Sequence, residues 1–200
     1  IYENLMKDVE TEGFRLVRYA DLSKADAKYL DSYFAQEILP LLSVMIVGRK
    51  QPFPFLKNRE IYALAILERK GKKKLGIIPC ESGMLPRLVA LPGVPGTYIL
   101  LEELILHYAP GLFKGYKVQE KTLMRITRNA DIDVSKVYDE DLNYRDQMEQ
   151  VVKLRKKLAP VRIEFTRDIS QKMVGEVCDY CELDEKHVFY SKSPLDLSFV

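Results

Sequence analysis

This 200-residue sequence has no long apolar run and no large excess of charge of either sign. Its apolar stretches, such as 38–47 and 98–101, fall short of the about 20 residues that cross a bilayer, which excludes a membrane span. Lysine and arginine total 31 against 29 aspartates and glutamates, so the formal net charge of +2 gives no global attraction for a polyanion. The 47% of hydrophobic residues instead predicts a soluble chain that fills one large domain or two small ones.

Cysteine is scarce, and a leader sequence is not visible. Three cysteines, an odd number, argue against a disulfide-stapled secreted scaffold and favour a reducing cytoplasm. The chain opens on Ile1 in a polar helical pattern, without an initiator methionine or the charged and apolar regions of a signal peptide. We interpret it as an excised piece of a longer protein that is cytoplasmic.

Motifs of the common enzyme classes are also absent. The sequence contains no Gly-Xaa-Ser-Xaa-Gly elbow, no His-Glu-Xaa-Xaa-His and no Gly-Lys-Ser/Thr phosphate loop. Its two histidines, His107 and His187, have no convincing partner in sequence, and we expect both to be structural. Cys178 and Cys181 have the spacing of a zinc half-site or a redox pair, but without further ligands we expect two buried thiols on a helix.

Helical spacing is present in five segments. Residues 1–11 are typical of the end of a helix, and Ser23 predicts an N-cap for a helix that runs to about Leu39. Residues 102–108 predict a brief helix that Pro110-Gly111 stops, and Ser170 predicts the cap of a helix that ends near Cys181. Residues 139–158 form the strongest helical pattern, with an acidic first turn and a basic last turn.

Strand-length apolar runs alternate irregularly with these helices. Residues 61–68 and 74–79 flank a charged tip and predict a β-hairpin. Other predicted strands are 14–19, 41–47, 85–91, 97–100, a bent or bulged 116–129, 161–166 and 187–190, with 51–55 extended because of its prolines. Because no regular βαβ alternation is present, we predict an α+β fold with a mixed, largely antiparallel sheet and helices packed on it.

Two clusters of polar residues are candidates for binding. The predicted hairpin tip carries Arg69, Lys70, Lys72, Lys73 and Lys74, which could neutralise a polyanion. We favour a solvated tip, because no aromatic residues for stacking are interleaved with the cations.

The second cluster is the run Arg125-Ile126-Thr127-Arg128-Asn129-Ala130-Asp131. Its guanidinium groups could contact phosphate oxygens. An internal network of arginines and aspartate, or a subunit interface, is the favoured alternative for such a dense set of hydrogen-bonding groups.

Three short segments resemble, in order, the middle or head domain of the polyphosphate kinase family. They are Gln51-Pro52-Phe53-Pro54-Phe55-Leu56-Lys57-Asn58, Leu85-Pro86-Arg87 and the run from Arg125 to Asp131. The similarity spans essentially all 200 residues, and Glu12-Gly13-Phe14-Arg15-Leu16, Val161-Arg162-Ile163-Glu164 and Pro194-Leu195 also fit the pattern. The family usually has His where this chain has Gln51, and Thr-Pro where it has Ser43-Val44.

The resemblance implies a kinase that reversibly transfers the terminal phosphate of ATP to polyphosphate through a phosphohistidine, with magnesium. It places the nucleophile, the nucleotide site and the metal site outside this chain, so neither His107 nor His187 inherits the nucleophile. It therefore implies no catalytic, cofactor-binding or metal residue here and an inactive fragment.

By the same resemblance, residues 1–38 lead from a missing N-terminal domain, residues 39–200 form the head domain, and the C-terminal catalytic domains are absent. The head would make homo-oligomer contacts and hold those domains, with no nucleic acid as partner. Arg125, Arg128, Asn129 and Asp131 are its candidates for the polyphosphate path or for the interface. The alternative is a stand-alone polyanion-binding or assembly module with the basic tip as its site.

Overall fold

A computed structural model describes residues 2–48, 53–81, 83–129 and 159–199. Its helices are α1 (Tyr2–Thr11), α2 (Lys24–Tyr33), α3 (Leu101–Leu112) and α4 (Gln171–Cys181). Its strands are β1 (Arg15–Leu16), β2 (Met45–Val47), β3 (Ile61–Arg69), β4 (Lys72–Pro79), β5 (Leu88–Ala90), β6 (Thr97–Leu100), β7 (Lys117–Arg128), β8 (Pro160–Phe165) and β9 (Val188–Tyr190).

The strands form two sheets. A six-stranded sheet has the order β2-β4-β3-β7-β8-β9, and a three-stranded sheet has the order β1-β6-β5. The pairings are antiparallel except for β8 with β9 and β1 with β6, which are parallel. This arrangement confirms the predicted α+β class with a mixed, largely antiparallel sheet.

Strand β3 divides the interior into two hydrophobic cores. Successive side chains of a strand point to opposite faces, so its continuous apolar run serves both sides of the sheet. Ala63, Ala65 and Leu67 belong to the core that includes α2 and α3, whereas Leu64 and Ile66 belong to the core that includes α4. The six-stranded sheet therefore lies between two helical layers.

The β3–β4 hairpin and two helix caps match the sequence predictions. The turn residues Lys70 and Gly71 have φ values of 50° and 70°, as a two-residue type I′ turn requires. The Ser23 hydroxyl accepts a hydrogen bond from the Asp26 amide at 3.1 Å, and the Ser170 hydroxyl accepts one from Met173 at 3.4 Å. Both predicted N-caps are confirmed.

The predicted end of α3 is wrong, because the helix continues through Pro110 to Leu112. Proline has no N–H, so in a helix it leaves the carbonyl four residues earlier, that of Leu106, without its usual donor. The Lys121 ammonium donates to that carbonyl at 2.8 Å and to the His107 carbonyl at 3.2 Å. A side chain from β7 thus replaces the missing backbone hydrogen bond.

Other helix and strand boundaries differ by a few residues from those predicted from the sequence. Helix α2 ends at Tyr33 and continues as a π turn, Phe34–Ile38, and a 3-10 turn, Leu39–Leu41, so only Met45–Val47 of the predicted strand 41–47 is extended. The predicted bend in 116–129 is present in β7, whose register shifts against both β3 and β8. The predicted helix 139–158 lies outside the described residues. Among the described helices, none combines the length and apolarity needed to cross a membrane.

Candidate functional site

The first and third of the three motif segments meet in the fold. The Arg128 amide donates to Asn58 Oδ1, and Arg128 Nε donates to the Leu56 carbonyl, both at 2.7 Å. The guanidinium carbon lies 4.3 Å from the centroid of the Phe55 ring, a cation–π contact. Burial lowers the pKa of Arg128 from its ordinary value. Arg128 therefore fixes the segment before β3 against the end of β7.

Arg125 contributes to a different cluster on the neighbouring strand β8. Its Nη2 lies 3.2 Å from Glu164 Oε2, and the other carboxylate oxygen, Oε1, is 2.9 Å from Arg162 Nη2. Glu164 is 8% exposed, so this carboxylate is buried between two guanidinium groups. Arg162 also lies over the Phe189 ring at 4.5 Å. The cluster links β7, β8 and β9 across the edge of the sheet.

The two arginines of the third motif lie on opposite faces of the sheet. Met124 and Ile126 point into the core that includes α4, so alternation along β7 places Arg125 on the α3 side and Arg128 on the α4 side. Their polar partners differ accordingly. The two guanidinium groups therefore do not converge on one anion.

The other two predicted site residues provide less. The Asn129 amide donates to the Ala159 carbonyl at 3.1 Å, a backbone contact just beyond the end of β7 and just before the start of β8. Asp131 lies outside the described residues. The assignment of Arg125, Arg128, Asn129 and Asp131 to a polyphosphate path or an interface stays a prediction.

Arg87, from the second motif, joins α3 to the C-terminal segment. Its Nη2 is 2.6 Å from Glu102 Oε1 and donates to the Asp196 carbonyl at 2.8 Å. Glu102 is only 3% exposed, so its charge depends on this guanidinium for compensation. The Arg87 guanidinium carbon also lies 5.3 Å from the Phe199 ring centroid. Sequence reasoning missed Glu102 because it lies on a helix, 15 residues beyond Arg87.

The two histidines lie in different surroundings. The His107 ring stacks on Tyr19 with a centroid distance of 3.4 Å, and burial, with the nearby Lys121 charge, lowers its pKa. His187 closes a short 3-10 turn, Glu185–His187. In the ranges that the structure describes, no group of three or more His, Cys, Asp or Glu side chains could hold a metal ion.

The cysteine pair lies on α4, where both Cys178 and Cys181 are buried and reduced. Burial raises the pKa of Cys181 to about 12 and also raises the pKa of Cys178. Both thiols therefore stay protonated near neutral pH, whereas metal binding and disulfide exchange require the thiolate.

A cleft of about 960 Å³ lies between α1 and the body of the fold. Its walls include Lys7, Lys121, Arg167 and Lys192, with residues from both ends of the described chain. Arg167 is paired with Glu103 at 2.6 Å, and Lys121 is engaged with the α3 carbonyls. The sequence carried no signal for this cleft, because its lining comes from segments far apart in the chain.

The basic cluster is at the tip of the β3–β4 hairpin, as predicted. The structure adds an aromatic residue that the sequence did not reveal there, because it lies more than 40 positions away in the chain. Tyr116 lies beneath Arg69 and Lys74, whose charged groups are 5.6 and 5.8 Å from the ring centroid. Cations and an aromatic ring therefore meet at this tip.

Comparisons with known proteins point to a single family. A family model described as "Polyphosphate kinase middle domain" matches residues 25–200. The polyphosphate kinase of Bacillus anthracis is 32% identical over 199 residues, covering 95% of this chain and 28% of that protein. The polyphosphate kinase of Lactiplantibacillus plantarum is 28% identical, covering 98% of this chain and 27% of that protein. The chain thus spans little more than a quarter of the length of these curated relatives.

A solved structure supports the same fold. The crystal structure of polyphosphate kinase from Porphyromonas gingivalis superposes with a TM-score of 0.71 and 23% sequence identity. The match covers 95% of this chain and 27% of that chain.

Proposed function

The chain belongs to the polyphosphate kinase family as its middle domain, and we propose that it is the head of a protein that moves the terminal phosphate of ATP onto polyphosphate. In that reaction the bond between the γ-phosphorus and its bridging oxygen breaks, ADP leaves, and an imidazole nitrogen takes the phosphoryl group. The terminal oxygen of polyphosphate then accepts it, which restores the imidazole. The observation that carries this proposal is the family match over residues 25–200.

The head's own contribution is structural in this proposal. Its motif arginines are committed to internal contacts: Arg87 to Glu102, Arg125 to Glu164 and Arg128 to the Leu56 carbonyl. Such contacts fix the relative positions of strands and helices, which phosphoryl transfer requires because it depends on positioning. Within the described residues no group of three or more His, Cys, Asp or Glu side chains is placed to hold a metal ion, and this proposal assigns no step to magnesium or ATP on this chain.

Subunit contact is the second role proposed for the head, and β9 is the favoured place for it. Among the described strands, β9 lies at the edge of its sheet and pairs only with β8. Its residues Phe189 and Tyr190 are 44% and 49% exposed, and Val161 on β8 is 41% exposed. An edge with exposed apolar side chains is suited to pairing with another chain. Phe189→Glu should convert a dimer of the intact protein to a monomer in light scattering, and an unchanged mass would contradict this placement.

Transfer activity is tested with the protein from the complete reading frame and with the 200-residue chain. We expect the intact protein to convert ATP and polyphosphate to ADP and a longer polymer, and to acquire an acid-labile phosphate on a histidine outside this chain. The 200-residue chain should do neither. Polymer formation by the chain alone, or its labelling at His107 or His187, would overturn the proposed division of roles.

A stand-alone polyanion-binding module is the competing proposal, and the aromatic and cationic hairpin tip favours it. The two proposals differ in what the gene encodes after Val200. A long α/β region with a histidine followed by a glycine-rich turn supports the kinase, whereas a stop codon near Val200 supports the module.

A further inference from the structure

The hairpin tip has two faces with different charge. Arg69 is directly opposite Lys72, and Lys74 is opposite Leu67, which packs into the core that includes α3. Because directly paired residues share a face of the sheet, Arg69, Lys72 and Lys74 lie together on the α3 side. We call these three residues the tip face.

The other side of the same tip carries its own acid. Glu68 is paired with Lys73 on β4 and with Lys117 on β7, and it accepts a hydrogen bond from Gln119 at 2.6 Å. The two lysines there are next to a carboxylate. Charge on this side is therefore partly neutralised within the fold.

Within the described ranges, the tip face has no such compensation. In the described part of the chain, none of its three cations forms an ion pair with an acidic side chain. Like charges directly opposite one another, as Arg69 and Lys72 are, destabilise a sheet. An anion placed here would remove that repulsion.

Tyr116 organises two of these cations. Both Arg69 and Lys74 lie over its ring, and hydrogen bonding from Lys74 lowers the pKa of the Tyr116 hydroxyl. A cation held over a ring loses less side-chain freedom when it binds an anion. The ring thus holds the cations in place before a ligand arrives.

The surroundings of the tip face indicate a phosphate polymer without bases. Binders of single-stranded nucleic acid offer aromatic faces on which bases stack, but Tyr116 is already engaged with two cations. A lipid surface would need exposed apolar side chains, and among residues 67–75 and 112–118 no large hydrophobic side chain is exposed. The ligand that fits this site is therefore a polymer with closely spaced negative charges and no bases or apolar groups.

We propose that Arg69, Lys72, Lys74 and Tyr116 form a surface site that holds a linear inorganic polyphosphate chain. The choice of polymer rests on the proposed function, whereas the location of the site rests on the charges and contacts of the hairpin. Such a site would retain a long product chain on the head while its end is extended elsewhere in the protein.

Two variants with the same loss of charge test the location. Lys72→Gln/Lys74→Gln removes two cations from the tip face, and Lys73→Gln/Lys117→Gln removes two from the side that carries Glu68. Binding of long-chain polyphosphate to the 200-residue chain is measured over a range of salt concentrations, with circular dichroism to verify folding. The tip-face variant should bind about tenfold more weakly, with a salt slope lower by about 1 per lysine, and the control should stay within about twofold.

Tyr116 gives an independent measurement. Tyr116→Phe keeps the ring and should retain most of the affinity for polyphosphate. Tyr116→Leu should bind polyphosphate more weakly, because Arg69 and Lys74 are no longer held over a ring. Equal binding by all three forms would overturn the role of the ring in the site.

Other ligands are arms of the same experiment. Binding is also measured with oligo-dT of matched charge and with vesicles that contain anionic lipids. If either one binds as tightly as polyphosphate, the assignment of the polymer is wrong. An equal loss in the two double variants, or no binding, would overturn the site itself. An intact protein without transfer activity would refute the proposed function and leave the binding result standing, so the two failures are distinguishable.

Discussion

Lys121 donates its ammonium group to the backbone carbonyl of Leu106, the acceptor that Pro110 leaves without a donor inside α3. Leu106 is 1% exposed, so water cannot easily replace the lysine. Burial lowers the pKa of Lys121, and the charge of Arg167 adds to this decrease. The contact is what lets a helix pass through a proline.

This contact predicts that the cost in stability of changing Lys121 depends on whether Pro110 is present. Lys121→Met should lower the free energy of unfolding by about 1–3 kcal/mol, because a buried carbonyl loses its partner. Pro110→Ala restores a backbone N–H for Leu106, so the same lysine change should cost much less in that background. Urea unfolding of the four proteins measures the difference, with Lys114→Met as a surface control. An equal cost in both backgrounds would contradict the explanation.

The Arg87–Glu102 pair predicts a strong effect on stability. Arg87→Met leaves the Glu102 carboxylate buried without its cation, which should cost about 3–5 kcal/mol. Adding Glu102→Gln removes the stranded charge and should recover part of the loss. Thermal unfolding of the single and double variants tests this, and a double variant that is less stable than Arg87→Met would refute it.

Gly76 predicts a steric effect in the centre of the sheet. An added Cβ would lie 2.5 Å from two ring carbons of Phe113, a residue that is 1% exposed. Gly76→Ala should therefore destabilise the protein by about 1–3 kcal/mol, and Phe113→Leu in the same chain should relieve part of this cost. Gly111→Ala in α3 is the matched control and should be neutral or stabilising, because no atom of the described residues would lie within 4 Å of the added Cβ. Similar losses for both glycines would argue against the clash.

Cys181 predicts a loss of stability in alkali. Burial raises the pKa of its thiol from 9.0 to about 12; Arg128 opposes this increase and Cys178 adds to it. Between these two pH values the folded chain keeps a proton that the unfolded chain has lost. The free energy of unfolding therefore falls as pH rises from 9 to 12, by up to about 1.4 kcal/mol per pH unit for one proton.

The measurement is a set of urea unfolding curves across that pH range. Cys181→Ala should show a shallower decrease than the wild-type chain, since the other titrating groups are unchanged. A variant with the same slope as wild type would exclude the thiol as a source of the pH dependence.

Arg125 and Arg128 should act independently. Because they lie on opposite faces with different partners, the stability losses of Arg125→Ala and Arg128→Ala should add to within about 0.5 kcal/mol in the double variant. Polyphosphate affinity and dimer mass of the intact protein with both changes then test their predicted role. Unaltered affinity together with an unaltered mass would remove them from both the polymer path and the interface.

The sequence predicted elements whose signals are local. The hairpin with its charged tip and the serine caps at Ser23 and Ser170 each involve residues a few positions apart, and both features are present in the structure. The sequence was enough to find the three motif segments, but it did not predict the contacts that their arginines make. The partners of Arg128 and Arg87 are decided by which strands and helices come together.

The failures had the same origin. Helix α3 passes Pro110 because a lysine 11 positions later folds back onto it, and propensity alone cannot include that contact. Tyr116 escaped attention at the basic tip because the register of β7 against β3 brings it there. Local patterns give the elements, whereas the chemistry of a site depends on long-range pairing.

The position of β3 has a consequence for how the chain is assembled. Its partner β4 follows within two residues, but its partner on the other side, β7, begins only at Lys117, and Ile61 pairs with Arg125, 64 residues later. During synthesis α2 precedes the hairpin and α3 precedes β7, so the helices of one layer are available before β7 is complete. The opposite apolar face of the hairpin packs against α4 and stays uncovered until Gln171–Cys181 has left the ribosome. A nascent chain that stalls after β4 and before α4 would expose apolar strand surface to other chains. We therefore expect chaperones to bind the chain during this stretch of translation.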